Sequence, residues 1–466
     1  MKTTVRKSII ASALILMGFA ASAQTNSSFF LDNYAYRYRL NPALMSEKSF
    51  LGLGVGAVST GIDSDLGLST FLYPSADGQG LVTGLNSSVS SEEFLSKIAN
   101  DNLIGLDVYE NLLSVGKRRE RSLSTFEINL RANLQANLSG DLFRLLKNGP
   151  EGSAMDLSNT AINADSYLEI AYGRARQNKK GNFTFGYRLK FLAGLAALDL
   201  NLNNTSLDIS GQSAKINVNA EGRLAANVLS LSQDADGKLS AIPNYSNISP
   251  AGYGGAVDLG IAWTLFNRLT LSASISDLGL MSWKYNNKLY TGTSVEFNGV
   301  DLSETTDVNS ELQAIGDQFK ELLNLQYSSL NEKSSVAMLP FTARAGARLR
   351  VPLLEFLTLG AQASYKNDIV PVWDTRVGAT ATLFRILSLS ANCGKSTYGN
   401  VCGAGLSLTF LFLNLYVSAD AYSGPVGLYT GPIGGSTVTI PYPVDNFRYK
   451  LNVGLTMQLG KRYNRY

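Results

Sequence analysis

The sequence predicts an all-β protein: a transmembrane, antiparallel, up-and-down β-barrel of fourteen strands, within a range of twelve to sixteen, with a separate N-terminal segment and a few short helices. Three observations carry that expectation. The last strand alternates strictly, with Tyr449, Leu451, Val453, Leu455, Met457 and Leu459 on one face and Arg448, Lys450, Asn452, Gly454, Thr456, Gln458 and Gly460 on the other. The chain opens on an export signal. The connections between alternating segments are short and apolar at one end, longer and more polar at the other.

Residues 1–23 read as a cleavable secretory signal. Lys2, Arg6 and Lys7 give a basic start, Ile9 to Ala20 is apolar, and Ala21-Ser22-Ala23 is a small-residue cleavage site. The apolar run is short for a spanning helix, and no Cys follows it to direct lipid attachment. Residues 24–48 are aromatic, basic and not clearly strand-like, and are set apart from the barrel. The barrel is assigned to 49–466, with an extracellular insertion at about 278–340.

Sixteen candidate strands follow: 50–60, 65–73, 108–117, 121–138, 162–175, 181–195, 214–231, 255–266, 268–277, 341–351, 355–366, 371–384, 386–393, 402–410, 412–421 and 447–460. The early ones are blurred by Gly and Ser, so fourteen is as acceptable as sixteen. A soluble sandwich also alternates. Strands that approach the roughly 9–11 residues needed to cross a bilayer favour a barrel, as do turns too apolar for water. Those turns repeat one plan around Phe266-Asn267-Arg268, Pro352–Phe356, Phe384-Arg385-Ile386 and Leu411-Phe412. Placing them in the periplasm puts the C-terminus there and the Cys393–Cys402 loop outside. Helices are expected at 91–99, where Ser90 and Glu93 form a capping box, at 141–147, and at 311–326 with an apolar stripe. They either pack on the rims or, for 311–326, cap the outer mouth.

Charge excludes one class of partner. Without Lys2, Arg6 and Lys7 the 40 basic residues become 37, equal to the 37 acidic ones, and nothing points to nucleic acid. There is no His, so no His-based triad, general base or zinc site can be built. No cofactor or metal is expected, and the chain does not read as an enzyme. Cys393 and Cys402 flank the turn Gly394–Val401, where opposed strand residues meet disulfide geometry; the alternative is two reduced thiols.

The wet faces carry charges of both signs, among them Glu127, Arg131, Arg188, Lys190, Asp258, Arg344, Arg348, Arg350 and Arg376. Charge against hydrocarbon costs about 2–4 kcal/mol at the midplane, so these side chains are expected to line the lumen. The row Arg344, Arg348 and Arg350 either favours anionic groups or pairs with lumen carboxylates.

The segment from Phe29 to Leu44 ends in Asn41-Pro42-Ala43, just before the first candidate strand. This triplet resembles the Asn-Pro-Ala element of FadL-type outer-membrane transporters, and PorV- and PorP-like barrels of Bacteroidota carry a similar one. The aromatic opening, with Asp141-Leu142-Phe143 before Lys147-Asn148-Gly149, is similar to an uncharacterised group of Bacteroidota outer-membrane barrels. The resemblance implies that residues 24–48 are a hatch inside a fourteen-stranded barrel in the outer membrane of a Gram-negative bacterium. It implies passive passage of small hydrophobic or anionic molecules. The alternative is a non-transport scaffold or secretion-accessory barrel that binds envelope proteins. Otherwise Asn41-Pro42 simply turns the chain into the first strand.

Overall fold

The computed structural model describes residues 25–53, 57–74, 81–149, 155–202, 206–210, 213–217, 220–233, 239–243, 249–291, 294–297, 325–330, 334–368, 371–422, 426–433, 436–443 and 446–463. The signal segment lies outside them. Most of the expected helix 311–326 does too, and its last residues instead begin the strand Leu325–Ser329.

Fourteen strands form the wall among the described residues. They are β1 (Ser49–Leu53 continued by Ala57–Ser64), β2 (Asp101–Arg119), β3 (Ser122–Ser139), β4 (Ala161–Gln177), β5 (Phe183–Leu202), β6 (Gly252–Leu265) and β7 (Leu269–Trp283). The second half comprises β8 (Thr342–Arg350), β9 (Leu357–Lys366), β10 (Val372–Leu383), β11 (Leu387–Ser396), β12 (Gly399–Phe410), β13 (Leu413–Tyr422) and β14 (Phe447–Leu459). Each pairs antiparallel with the next, from β1 with β2 through β13 with β14. The wall closes where Ser49–Leu51 and Ala57–Ser64 pair with β14. Closure leaves no free edge along the wall, which is what hydrocarbon requires of a spanning sheet.

Two of the sixteen expected strands are not in the wall. Residues 65–73 form a one-turn helix, Leu68–Phe71, and a strand Leu72–Pro74 that pairs with Leu81–Thr83. Leu66 and Tyr73 are buried there with Val82, Phe94 and Phe143, so their apolar surface goes to a rim cluster and not to lipid. Residues 214–231 break into Ser213–Asn217, Ala220–Ala226 and Leu229–Gln233. Leu224, Ala225 and Ala226 are buried in succession, so the middle piece is covered on both faces. It extends the sheet beside the end of β5, pairing with Ala196 to Leu202 on one side and Asn287–Tyr290 on the other.

The rim helices follow their signals. Ser90 caps Ser91–Leu95 by accepting from the Glu93 amide at 3.1 Å. Gly140–Asn148 buries Leu142, Leu145 and Leu146 against Leu200 and Leu202 at the top of β5. The two cysteines are joined, with their Cα atoms 4.1 Å apart. The hairpin is tighter than expected, because β11 runs on to Ser396 and β12 starts at Gly399. Both cysteines face outward near this tip.

At the opposite end the hairpins are strained. Phe266, Asn267, Phe384 and Arg385 have φ between 50° and 57°, Leu353 has 67° and Leu411 has 54°. The right-handed twist of paired strands favours turns with positive φ, where Asn and Gly are relaxed. A bulky side chain there costs about 1–2 kcal/mol.

Candidate functional site

The lumen is filled from the short-turn end by the chain's own N-terminal segment. Residues 26–29 and 37–40 are single helical turns, and between Thr25 and Leu44 every residue but Asn26 is buried. Tyr34, Tyr36 and Tyr38 pack with Leu31 against Phe50, Leu123, Ala175 and Tyr416 of the wall. Tyr38 stacks on Phe50 with ring centroids 5.7 Å apart. The Tyr36 hydroxyl donates to Asn111 at 3.1 Å and lies 2.7 Å from the Ser114 hydroxyl. Burial, opposed by the nearby Arg39, pushes this phenol up to about 12, so it stays protonated.

Glycines on the inner face make room for this segment. A Cβ on Gly186 would overlap the Pro42 carbonyl, one on Gly260 would meet Pro42 Cδ at 2.9 Å, and one on Gly360 would lie 3.0 Å from Phe30. Gly346 likewise faces Phe29, Gly403 faces Ser27, and Gly52 faces the Tyr36 hydroxyl. Asn41-Pro42-Ala43 sits in this mould. Asn41 Oδ1 accepts from the Ala43 amide at 2.9 Å, and its Nδ2 donates to the Ile261 and Ala273 carbonyls of β6 and β7. The triplet is therefore seated on the wall and does more than turn the chain into β1.

Three polar clusters pin the segment. In the largest, Arg39, Arg131, Arg188 and Lys190 interleave with Glu127, Glu169, Asp258 and Asp277. Glu127 accepts from Tyr38 at 2.8 Å and Arg39 Nε at 2.7 Å, and pairs with Arg188. Arg188 reaches Asp258 at 2.6 Å; Lys190 reaches Asp258 at 2.7 Å and Asp277 at 2.6 Å; Arg131 reaches Glu169 at 2.7 Å and Asp277 at 3.1 Å. Four cations and four carboxylates balance. Such a network specifies one arrangement more than it stabilises, although removing one member leaves a buried charge uncompensated.

In the second cluster Arg376 pairs with Asp374 and Asp420, each at 2.6 Å, and Asp420 accepts from the Asn26 and Ser27 amides at 2.8 and 3.2 Å. In the third, Arg348 donates to Asp32 at 2.9 Å and to the Phe30 carbonyl at 3.0 Å. The expected arginine row is thus divided. Arg348 holds the segment, Arg350 lies at the short-turn end, and Arg344 points elsewhere.

Beyond the segment, toward the long loops, lies a cavity of about 140 Å³. Its lining includes Asp107, Arg131, Asp165, Arg344, Lys366 and Lys450. Arg344 Nε has no hydrogen-bond partner among the described residues. The Lys450 ammonium lies 5.6 Å from the Tyr422 ring centroid. Cations of β8, β9 and β14 thereby share one chamber with carboxylates of β2 and β4.

A closed wall, a greasy outside, a charged inside and a filled lumen form an outer-membrane β-barrel fold of Gram-negative type. The chain belongs to the family of unknown function DUF5723, whose model matches residues 42–420. None of the curated proteins matches it. Similar solved structures include the toluene transporter TodX of P. putida, at 10% identity and TM-score 0.45 over 96% of this chain and 97% of that one. A Pseudomonas aeruginosa FadL homologue has 11% identity and TM-score 0.45 over 95% and 100%. The Ralstonia pickettii toluene transporter TbuX has 9% identity and TM-score 0.46 over 91% and 94%. The barrel architecture stands on the strand pairings above and not on these likenesses.

The sequence pattern placed Glu127, Arg131, Arg188, Lys190, Asp258 and Arg376 on the wet face; the structure joins the first five in one lumen network and puts Arg376 in a second cluster with Asp374 and Asp420. It left out Asp32 and Arg39 of the N-terminal segment. It also left out the inner-face glycines, although glycine at wet-face positions was a readable sign that something bulky approaches.

Proposed function

We propose that this protein is a gated outer-membrane passage for small charged solutes, carboxylate-bearing or zwitterionic, and that residues 25–48 are its gate. The cavity above the plug carries this reading. Its 140 Å³ is well above the roughly 10–15 Å³ needed to hold a single water, and has room for several waters or one small polar solute. Its polar lining suits a carboxylate at Arg344 and Lys450, with an ammonium facing Asp165 or Asp107. Of the two classes expected from sequence, hydrophobic and anionic, the lining favours the anionic one. The short turns then face the periplasm. No bond is made or broken in this reading.

The test is conductance and solute uptake in planar bilayers and liposomes, with small amino acids, dicarboxylates and toluene as the panel. Deleting residues 26–44 should raise conductance. Arg344→Ala should cut the preference for anions by about 1 kcal/mol, roughly fivefold, as expected for one unit charge at about 4 Å in a watery site. Uptake of toluene alone would overturn the solute class. Unchanged conductance on deletion would overturn the gate.

A second reading, an envelope scaffold, is supported by how densely the plug is pinned through Glu127, Asp420 and Arg348. It expects a stoichiometric protein partner on crosslinking in native membranes and no uptake defect on deletion of the gene.

A further inference from the structure

The greasy outer surface does not end at one level around the barrel. On β2 it stops at Val115, and the outward residues nearer the turn are Lys117 and Arg119. On β4 it stops at Tyr172, followed by Arg174 and Arg176. The turns that follow them are exposed and charged, with Glu120 and Arg121 in one and Lys179 and Lys180 in the other. From β6 to β13 the greasy surface instead runs on to the turn tips, where Asn267, Glu355 and Arg385 are exposed between apolar residues. Phe266 is 91% exposed, Leu353 98% and Phe384 92%, and Phe356, Leu411 and Phe412 stand beside them.

Strand length varies in the same sense. β2 to β5 have 19, 18, 17 and 20 residues. β6 to β13 have 14, 15, 9, 10, 12, 10, 12 and 10. A tilted strand needs roughly 9–11 residues to cross hydrocarbon. The short strands therefore have none to spare, and apolar tips lengthen their greasy face. All four of these tips place Phe or Leu at positive φ, where Asn or Gly would be relaxed.

We propose that the turn tips between β6 and β13 are submerged in the near leaflet of the membrane, with the barrel seated obliquely. The occupant of this apolar rim is lipid acyl chain. The argument is charge complementarity: Lys117, Arg119, Arg174 and Arg176 mark phosphate level on the opposite arc, one to two outward positions above their own turns. A protein partner would explain the apolar tips but not the matched basic band and the matched strand lengths. The inference requires only that the barrel spans a bilayer, and it stands or falls apart from any solute passage.

Single spin labels at 266, 353 and 384, and at 119 and 179, can be placed on the full-length protein in phosphatidylcholine–phosphatidylglycerol vesicles. These sites are exposed, so labels leave the wall intact. The first three should be relaxed more by oxygen than by a water-soluble nickel chelate, and the last two the reverse. Nickel preference at all five would overturn the proposal. Protection of the tips from both reagents, as a second copy would give, would overturn it too. Quenching of Phe384→Trp by bromine-labelled lipid gives an independent reading: tip emission should fall, and emission unchanged from the parent protein counts against submersion.

Discussion

Gly186 illustrates how a single residue encodes the lumen's contents. It lies on the inner face of β5, where the alternation of Phe183, Phe185 and Leu189 with Thr184 and Arg188 leads one to expect a polar side chain. The Pro42 carbonyl occupies the space where its Cβ would be. Gly186→Val should therefore unseat the plug and leave the wall folded, at a cost of about 1–3 kcal/mol for overpacking. Protease cleavage within 25–48 should rise while heat-modifiable migration of the barrel persists. If cleavage stays at the parent level, the mould argument fails. Glu127 shows the limit of sequence reading at this scale. Its place on the wet face was legible from the period of two, but its partners Arg39 and Arg188 come from segments about 60 to 90 residues away.

At the scale of the element, strands announced themselves where one face met lipid and the other met the lumen. β3, β5, β6 and β14 alternate cleanly because their two sides contact unlike media. The segments 65–73 and 214–231 misled because their apolar residues are covered by other protein, where period two marks no boundary. The plug is an element that periodicity could not describe, since its two single turns are shaped by the cavity around them and not by local pattern. Its mobility is open to a direct measurement. The Ser28 and Ser418 hydroxyls are 2.7 Å apart, so Ser28→Cys with Ser418→Cys should form a tether between plug and β13. Oxidised, this variant should lose conductance, and reductant should restore it, with the parent protein as control for the native Cys393–Cys402 bond. Full conductance in the oxidised form would show that the plug does not move.

For the molecule as a whole, the medium outside the wall decides the energetics. Leu451, Val453, Leu455, Met457 and Leu459 are outward on β14, and Asn452 and Thr456 are buried inward. Val453→Arg should destabilise the barrel by about 2–4 kcal/mol in lipid vesicles, read as a shift in urea midpoint, if that position lies near the midplane. An unshifted midpoint would mean that water, not hydrocarbon, bathes this face. The oblique rim belongs to the same scale, because it compares opposite arcs of one barrel and no single strand contains it.

By itself the sequence determined the class of fold, the wall's two faces and the side on which its charges lie, because a two-residue period is a local property that hydrocarbon and water sort without reference to distant segments. Only the tertiary structure narrowed the expected range of twelve to sixteen strands to fourteen, gave the expected hatch its contacts inside the wall, and paired four cations with four carboxylates. Those outcomes depend on which remote strands become neighbours when the sheet closes. Closure is a property of the whole ring, and no window of residues carries it.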